Sequence, residues 1–451
     1  MDGPGEPSGP IAVARRRAVR AWVLYDWANS AFATTVMAAL FPPFFRELAM
    51  ASGLEPAVAT AAWGYVTAGT LLVIALAAPL LGAAADRSGR TRGMLATSAA
   101  VGIVFTGLLA FIGDGQWRLA GALFAAANLG FSASIVFYES LLPRIVPAGD
   151  LDRISARGYA MGYLGGGLLL VINAFWVLQP AWFGFAGPGA AVRAAFVSVA
   201  VWWALFSLPL LRHAPRSPAG PGGARHDAGG VAAGLRRPLR TLAELRRYPQ
   251  LLLFLVAYWI YNDGIGTIIK MATAFGSEVG IATGHLVAAL VITQFVGFPC
   301  TLFFGRLAGR IGPRRAVTAG LAVYVLISLG GYFLRSAWQF YVLAALVGTV
   351  QGGTQALSRS LFASMVPRHR SAQFFGFYST SGKLAGIAGP LVFGAISHLT
   401  GASRISSVVM AGFFVAGGLL LARVDLEAGR AAARRAERSC QGNRVLPRPD
   451  P

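Results

Sequence analysis

Long apolar runs recur along almost the whole chain and constrain its fold more than any other feature. A run of 18 or more apolar residues can cross the roughly 30 Å hydrocarbon core of a bilayer as an α-helix. In that core every backbone N–H and C=O group needs a partner, and a helix supplies all of them within one segment. Twelve such runs are present, at about residues 21–45, 61–85, 94–113, 118–140, 157–178, 191–211, 250–275, 283–305, 316–334, 338–358, 372–397 and 404–422. We number them spans one to twelve, and they predict an all-α polytopic membrane protein.

The distribution of charge predicts which loops face the cytoplasm. Only 13% of the residues are charged, against about 25% in soluble domains, yet the formal net charge is +21. If the N-terminus is cytoplasmic, 32 of the 37 arginines fall in cytoplasmic segments. This positive-inside bias predicts a cell-membrane protein with both termini in the cytoplasm. It also explains the basic charge without a nucleic-acid partner.

The same segmentation divides the chain into five regions. They are a cytoplasmic N-terminal segment 1–20, a six-helix bundle 21–211, a basic cytoplasmic linker 212–249, a second six-helix bundle 250–423 and a basic cytoplasmic tail 424–451. Within the linker, leucines recur at helical spacing among arginines over residues 235–247, which favours a helix lying on the membrane surface. A disordered linker is the alternative.

The two predicted bundles repeat each other. Residues of the first match residues of the second, in order and in corresponding spans, at separations of 233, 223 and 220 positions. The matches are Tyr25, Asn29 and Thr34 with Tyr258, Asn262 and Thr267; the segment from Gly82 with the segment from Gly305; and Pro147, Gly162, Leu164 and Gly166 with Pro367, Gly382, Leu384 and Gly386. Because six crossings is an even number, the repeats have the same orientation. This is the parallel repeat of a secondary transporter with its site between the halves.

The repeated segments also carry a family resemblance. The sequence GAAADRSGRTR at residues 82–92 resembles the loop motif of the major facilitator superfamily, and its second copy, GRLAGRIGPRR at 305–315, has Gly309 at the position of the aspartate. Within that superfamily, YDWANSAFATTVMAALFPPFF at 25–45 and YNDGIGT at 261–267 resemble the vacuole effluxer family, also called the unknown major facilitator family. The resemblance implies a twelve-helix porter in which spans one, four, seven and ten line a cavity and spans three, six, nine and twelve lie outermost. Eukaryotic members of the family export amino acids from the vacuole.

Polar side chains within the spans are the candidate site residues. A charged group at mid-depth in a span costs about 2.5 kcal/mol or more, and such groups normally face protein or a water-filled cavity. Asp26 and Asn29 share one face of span one, so we expect both to face an internal aqueous cleft. The predicted substrate- or ion-binding residues are Asp263, Lys383, Lys270, Asn262, Gln351, Gln355, Asn29 and Tyr258.

The lysines carry the strongest functional signal. Lys270 and Lys383 are the only lysines of the chain, and both lie within spans, whereas every cation in the loops is an arginine. A buried lysine can change its protonation or exchange partners in a way that arginine cannot. We predict that Lys383 attracts a substrate carboxylate and that Asp263 binds an ammonium group or a proton. Neutral hydrogen bonds would come from Gln351, Gln355 and Asn262. A fixed structural ion pair is the alternative.

A second group of charged residues, near the cytoplasmic ends of the spans, suits a gate between the halves. Its members are Asp26, Asp86, Arg87, Arg90, Glu139 and Arg359. The resemblance implies that the loop from Asp86 to Arg90 pairs across the interface. Glu139, at the end of span four, suits a salt bridge between the halves. For Asp26, pairing with arginines as part of this gate is an alternative to a role in the cleft.

These features predict an alternating-access secondary transporter that moves a small polar organic solute, with an amino acid as the best guess, by coupling to protons. The chain has no Walker-type glycine loop, so ATP is not predicted as the energy source.

Cys300 and Cys440 lie too far apart for a disulfide, and no metal or other cofactor is predicted. We expect a monomer in the lipid bilayer. Only Asp26 and Glu139 offer paired carboxylates and no nucleophile accompanies them, so the chain is not predicted to be an enzyme. The alternatives are a transport-inactive sensor on the same fold and a major facilitator exporter of drugs or metabolites.

Overall fold

The structure, a computed structural model, describes residues 10–215, 244–385, 388–400 and 403–445. Every regular element among these residues is a helix, and the helices form twelve spans in two six-helix bundles. The predicted all-α architecture is therefore confirmed. The predicted surface helix of the linker lies outside the described residues, except for its last few positions.

The helix bounds follow the predicted spans. In the first bundle, span one begins as Pro10–Ala31, and spans two to six are Pro56–Ser88, Thr91–Leu108, Trp117–Ile145, Leu151–Leu178 and Pro188–His213. In the second bundle, spans seven to ten are Pro249–Glu278, Thr283–Ile311, Pro313–Tyr332 and Ala337–Met365, span eleven consists of Ser371–Ala385 and Ala388–Thr400, and span twelve is Ser403–Ala422. A further helix, Leu426–Val445, follows span twelve.

Local sequence signals set several helix ends. Span ten begins with a capping box, in which the Ser336 side chain accepts a hydrogen bond from the backbone N–H of Gln339 and the Gln339 side chain accepts one from the backbone N–H of Ser336. Span two ends at Gly89, whose φ of 66° is the left-handed conformation typical of helix C-termini. Pro188 and Pro313 stand at the starts of spans six and nine, where a missing N–H is tolerated.

Span one is longer than predicted and changes its geometry on the way. After Pro10–Ala31 it continues as a π-helical segment, Phe32–Leu40, and returns to α-helix over Phe41–Ala51. π-helical turns are rare, and they occur frequently at functional sites.

By length and composition, nine helices among the described residues are apolar enough to cross a membrane, and they correspond to spans two to nine and span twelve. The other three spans are one, ten and eleven. Their apolar sequences are interrupted by Asp26, Arg359 and Lys383, respectively. Predicted charged residues are not confined to these three spans, because span seven, which is one of the nine, contains Asp263.

Spans three, six, nine and twelve turn large apolar side chains outward. Val104, Val201, Leu326 and Leu419, one from each of these spans, are 55%, 60%, 63% and 63% exposed. Side chains of this kind are suited to contact with acyl chains. Leu72 of span two and Phe303 of span eight, each 58% exposed, turn outward as well, so the outermost placement that the resemblance implies stays a prediction.

The bundles contact each other through spans that the repeat relates. Span two packs against span eleven, and span eight packs against span five. Span four likewise packs against span eleven, and span ten against span five. Each contact thus has a counterpart in which the two bundles exchange roles, as expected for parallel repeats.

Candidate functional site

A buried ion pair joins the bundles near one end of the molecule. We call this end the arginine-rich face; it carries the turns between spans two and three, four and five, eight and nine, and ten and eleven. Nη1 and Nη2 of Arg359, on span ten, each lie 3.3 Å from Oδ2 of Asp26, on span one. The Tyr138 hydroxyl, on span four, donates a 2.7 Å hydrogen bond to the same oxygen. Arg359 is 1% exposed and Asp26 is 8% exposed, so water screens this pair very little.

The remaining surface of the Arg359 guanidinium is covered by span five and by aromatic rings. Its Nε donates to Oγ of Ser155 over 2.9 Å, and its Nη2 donates to the Ser155 carbonyl oxygen over 3.0 Å. Its Cζ lies 4.7 Å from the ring centroid of Trp22, 5.7 Å from that of Tyr138 and 4.3 Å from that of Tyr159. These distances are within the range of cation–π attraction.

A second polar contact between the bundles lies at the tip of span two. Asp86 pairs with Arg144 of span four, and its carboxylate also accepts hydrogen bonds from the backbone N–H groups of Ala372 (3.2 Å) and Gln373 (2.7 Å). These amides belong to the first turn of span eleven, where a helix has no acceptors of its own. An aspartate of the first bundle therefore caps a helix of the second, and it lies favourably at the positive end of the helix dipole. Arg144 extends the contact by donating to Oγ of Ser371 over 2.7 Å.

Spans two and eleven approach so closely that glycine is required where they meet. A Cβ atom added at Gly82 would lie 2.1 Å from the carbonyl oxygen of Ala372. A Cβ atom added at Gly376 would lie 2.5 Å from the carbonyl oxygen of Ala78. Both clashes involve backbone atoms, so neither can be relieved by rotating a side chain.

Two further hydrogen bonds connect spans five and ten at this end. Ser155 Oγ donates to the carbonyl oxygen of Ala356 over 2.7 Å, and Ser360 Oγ donates to Asp152. Together with the contacts of Asp26 and Asp86, they close the arginine-rich face between the two bundles.

A cavity of about 360 Å³ lies nearer the opposite face. It is bordered by residues close to the helix ends of that face, including Phe275, Leu286, Leu334 and Phe340. Both bundles contribute to its lining, because Ala33, Thr34, Ala38 and Ala39 of the π-helical segment and Tyr163 and Leu170 of span five join residues of spans seven to twelve. Most of the lining is apolar; the polar members are Thr34, Tyr163, Thr293, Gln294, Ser328, Gln351 and Ser407.

Of the predicted binding residues, Gln351 lines this cavity, and Asn29, Tyr258, Asn262, Asp263 and Gln355 are not among its lining residues. Asn29 donates to the Tyr25 carbonyl oxygen of its own helix over 2.7 Å. The Nδ2 group is thus engaged within span one, and a role of Asn29 in binding stays a prediction.

Three of the other predicted residues lie together, where span seven faces span eleven. Oδ2 of Asp263, which is 3% exposed, accepts a 2.7 Å hydrogen bond from the backbone N–H of Gly389. Tyr258 stacks on Tyr378, with ring centroids 4.4 Å apart. A Cβ atom at Gly382 would lie 3.6 Å from Nδ2 of Asn262. Span seven therefore presents a carboxylate, an amide and a phenol to span eleven.

The side chains of Lys270 and Lys383 lie outside the described residues, although their backbones belong to spans seven and eleven. Of the predicted gate residues, Asp26, Asp86 and Arg359 make contacts between the bundles, as described above. Glu139 is buried at 6% exposure. Arg87 and Arg90 are exposed, unlike their neighbour Asp86.

Several residues of these contacts were not predicted from the sequence. Tyr138, Tyr159 and Ser155 were not predicted, because tyrosine and serine are common in membrane helices and carry no charge. Tyr163 could have been noticed, since adding the repeat separation of 220 places it at the position of Lys383. Arg144 could also have been found, because it is an arginine at the end of a span facing the same loops as Asp86.

Comparisons with known proteins agree with this geometry. The family model described as "Vacuole effluxer Atg22 like" matches residues 56–434, which is most of the chain. A Bacillus subtilis (strain 168) protein named as an uncharacterized MFS-type transporter, YxiO, is 36% identical over 407 residues, covering 90% of this chain and 94% of that protein. Autophagy-related protein 22 of Yarrowia lipolytica is 28% identical over 310 residues, covering 62% of this chain and 51% of that protein.

Among solved structures, the human organic anion transporter MFSD10 superposes with a TM-score of 0.68 at 17% identity, covering 92% of this chain and 100% of that one. At this identity the superposition speaks for the fold alone, and the fold is that of the major facilitator superfamily. The family match adds the narrower assignment. The protein is a multi-pass membrane transporter of the major facilitator superfamily, rather than an enzyme, and it belongs to the Atg22-like vacuole effluxer family.

Proposed function

We propose that the protein is an alternating-access secondary transporter for a small polar organic solute, with an amino acid as the best candidate. One observation carries this proposal: a cavity lined by both bundles lies nearer one face, and buried polar contacts join the two bundles at the other. If the bundles rock about the cavity, the same contacts break, and the cavity becomes accessible from the arginine-rich face. We propose further that the protein is a monomer of the cell membrane with both termini in the cytoplasm.

The substrate and proton chemistry is proposed for side chains of spans seven and eleven, where the two helices face each other, and for two glutamines of span ten. Asp263 would receive an ammonium group or a proton, and Lys383 would attract a carboxylate. Asn262, Gln351, Gln355 and Tyr258 would supply neutral hydrogen bonds, with Lys270 as the second cation of the region. A charge carried across the membrane yields about 2.3 kcal/mol per 100 mV, so proton movement could drive accumulation or export.

The first test is counterflow of amino acids in proteoliposomes with Asp263→Asn and Lys383→Ala. Asparagine can still accept the hydrogen bond from Gly389, so the first change removes the charge while keeping that contact. We expect each variant to lose at least about tenfold in counterflow, corresponding to about 1.4 kcal/mol, and Asp263→Asn to lose the pH dependence as well.

Asp114→Asn is the matched control, because Asp114 pairs with Arg193 on the surface and its side chain is 87% exposed. It should transport like the wild type. Unchanged counterflow and unchanged pH dependence in both site variants would refute the proposed substrate and proton site.

A second candidate function is favoured by the apolar lining of the cavity. Side chains such as Phe275, Met271 and Leu343 suit a solute with a substantial apolar part, so an exporter of amphipathic metabolites or drugs is the alternative on the same fold. Counterflow with a panel of amino acids, sugars, nucleosides and drugs separates the two functions. Binding without flux for every compound would instead indicate a sensor.

A further inference from the structure

The groups that hold the Arg359 guanidinium come from the opposite bundle. Arg359 belongs to span ten, whereas Asp26 and Trp22 lie on span one, Tyr138 on span four and Tyr159 on span five. We call the last four residues the cation cage. One bundle thus forms a complete cage, and the other bundle inserts a cation into it.

The chemistry of the cage is that of a cation receptor. It combines one carboxylate oxygen with three aromatic rings, all within 5.7 Å of Cζ of the guanidinium. Aromatic faces attract cations more strongly when water is absent, and a planar, weakly hydrated cation can stack on them. A Cβ atom at Gly158 would lie only 2.5 Å from Oδ2 of Asp26, so span five leaves space for the carboxylate at this site.

The charge balance also calls for a cation in the cage. Glu139, next to Tyr138 in the chain, is another buried acidic residue of the first bundle. Its repeat counterpart, 220 positions later, is Arg359 itself. When the bundles separate, Arg359 leaves with span ten, and the Asp26 carboxylate remains against three aromatic rings. A carboxylate in such surroundings is unfavourable without a counter-ion.

We infer that the cation cage is a binding site for an organic cation, namely a guanidinium or primary ammonium group, and that Arg359 is its tethered occupant while the arginine-rich face is closed. The inference rests on the proposed alternating access, because Arg359 leaves the cage only when the bundles separate. A solute cation arriving from the arginine-rich face would then replace Arg359 and favour the state open to that face.

Binding to the cation cage can be tested without a transport assay by replacing Arg359, the side chain that fills the cage. In the purified full-length Arg359→Ala variant, methylguanidinium should raise the melting temperature saturably, by about 2 °C at ten times its Kd. N-methylurea has a similar shape but no charge and should have no effect. The wild type should show no saturable shift, because Arg359 fills the cage. Arg118→Ala, which removes an exposed arginine lying 5.2 Å from a single ring, that of Trp117, should behave like the wild type.

Asp26 provides the second variant. Adding Asp26→Asn to Arg359→Ala should abolish the response to methylguanidinium, because the carboxylate is lost while the rings remain. If Arg359→Ala does not yield folded protein, Arg359→Leu keeps the packing of the stem and still vacates the place of the guanidinium. An equal response in the wild type and the Arg359 variant, or no response in a folded Arg359 variant, would overturn the inference. Either result would leave the transport proposal standing, because binding is measured here without flux.

Discussion

Asp26 and Arg359 stand 333 positions apart in the chain and form one buried pair. Burying two charges is costly, and in proteins it often stabilises no more than apolar packing of the same volume. The pair is therefore poorly suited to a permanent seal and well suited to a contact that forms and breaks. Its aromatic surroundings strengthen it in the closed state, because they exclude water from both partners.

For this ion pair we predict that Asp26→Asn lowers the stability of the protein. The amide can still accept hydrogen bonds from Tyr138 and Arg359, but it removes the carboxylate that contacts the buried guanidinium. We expect a loss of about 3 kcal/mol of stability, measured as a fall in the midpoint of unfolding. Asp150→Asn is the control, because Asp150 pairs with Arg153 on the surface, with both side chains more than 40% exposed. It should change stability by less than about 0.5 kcal/mol. Equal shifts for the two variants would contradict the role given to Asp26.

Asp26 and Arg359 were both predicted as gate residues, but not as partners of each other. A charge in an apolar run is visible from composition alone, since it contradicts its surroundings. Its partner depends on how two bundles pack, and nothing local to span one or span ten encodes that distance. The rings of Trp22 and Tyr159 were missed for a related reason: an aromatic residue in a membrane helix is unremarkable until a cation is found against it.

Spans two and eleven show how individual helices build the closed face. Gly82 and Gly376 allow their backbones to touch, and this contact brings Asp86 to the first turn of span eleven. The loop motif at residues 82–92 predicted a pairing across the interface. In the structure the bundle-to-bundle partners of Asp86 are backbone amides of span eleven, and its partner Arg144 belongs to the same bundle. Amide partners have no sequence signature, so they could not be read from the motif.

For these two helices we predict that Gly82→Ala opens the arginine-rich face. The new methyl group meets backbone atoms of Ala372, and overpacking of this kind costs about 1–3 kcal/mol. Labelling of Ser371→Cys by a maleimide, in a chain with Cys300 and Cys440 replaced by serine, should then become roughly tenfold faster.

The control lies on the same helix. Gly69 has no atom within 4 Å of an added Cβ, so Gly69→Ala should leave the labelling rate of Ser371→Cys unchanged. If Gly82→Ala also leaves that rate unchanged, spans two and eleven do not control closure.

The twelve-span, two-bundle architecture could be predicted from the sequence, whereas the individual contacts between the bundles could not. Twelve apolar runs and three repeated segments predicted the architecture, because both depend only on hydrophobicity or spacing along the chain. The π-helical segment of span one was not predicted, since Phe32–Leu40 has the composition of an ordinary apolar helix. The position of the cavity was not predicted either, because it depends on where the packing of many spans leaves space.

At the scale of the molecule we predict that a disulfide across the closed face stops transport. Asp152→Cys with Ser360→Cys joins spans five and ten, which are already hydrogen-bonded at these positions. Oxidation should abolish counterflow, and reduction should restore it. The control pair, Asn173→Cys with Ser198→Cys, replaces a 3.0 Å hydrogen bond within the first bundle and should leave counterflow intact when oxidised. Normal counterflow with the first bridge fully formed would exclude rocking of the bundles as the transport motion.

The cap that Asp86 places on span eleven has a consequence for how the motion can be observed. Because the amides of Ala372 and Gln373 find their acceptor in the other bundle, every opening of the arginine-rich face exposes them to solvent. Their deuterium uptake would therefore report the fraction of time that the protein spends open. A solute that favours the open state should accelerate that uptake, and one that favours the closed state should slow it, with no label attached to the chain.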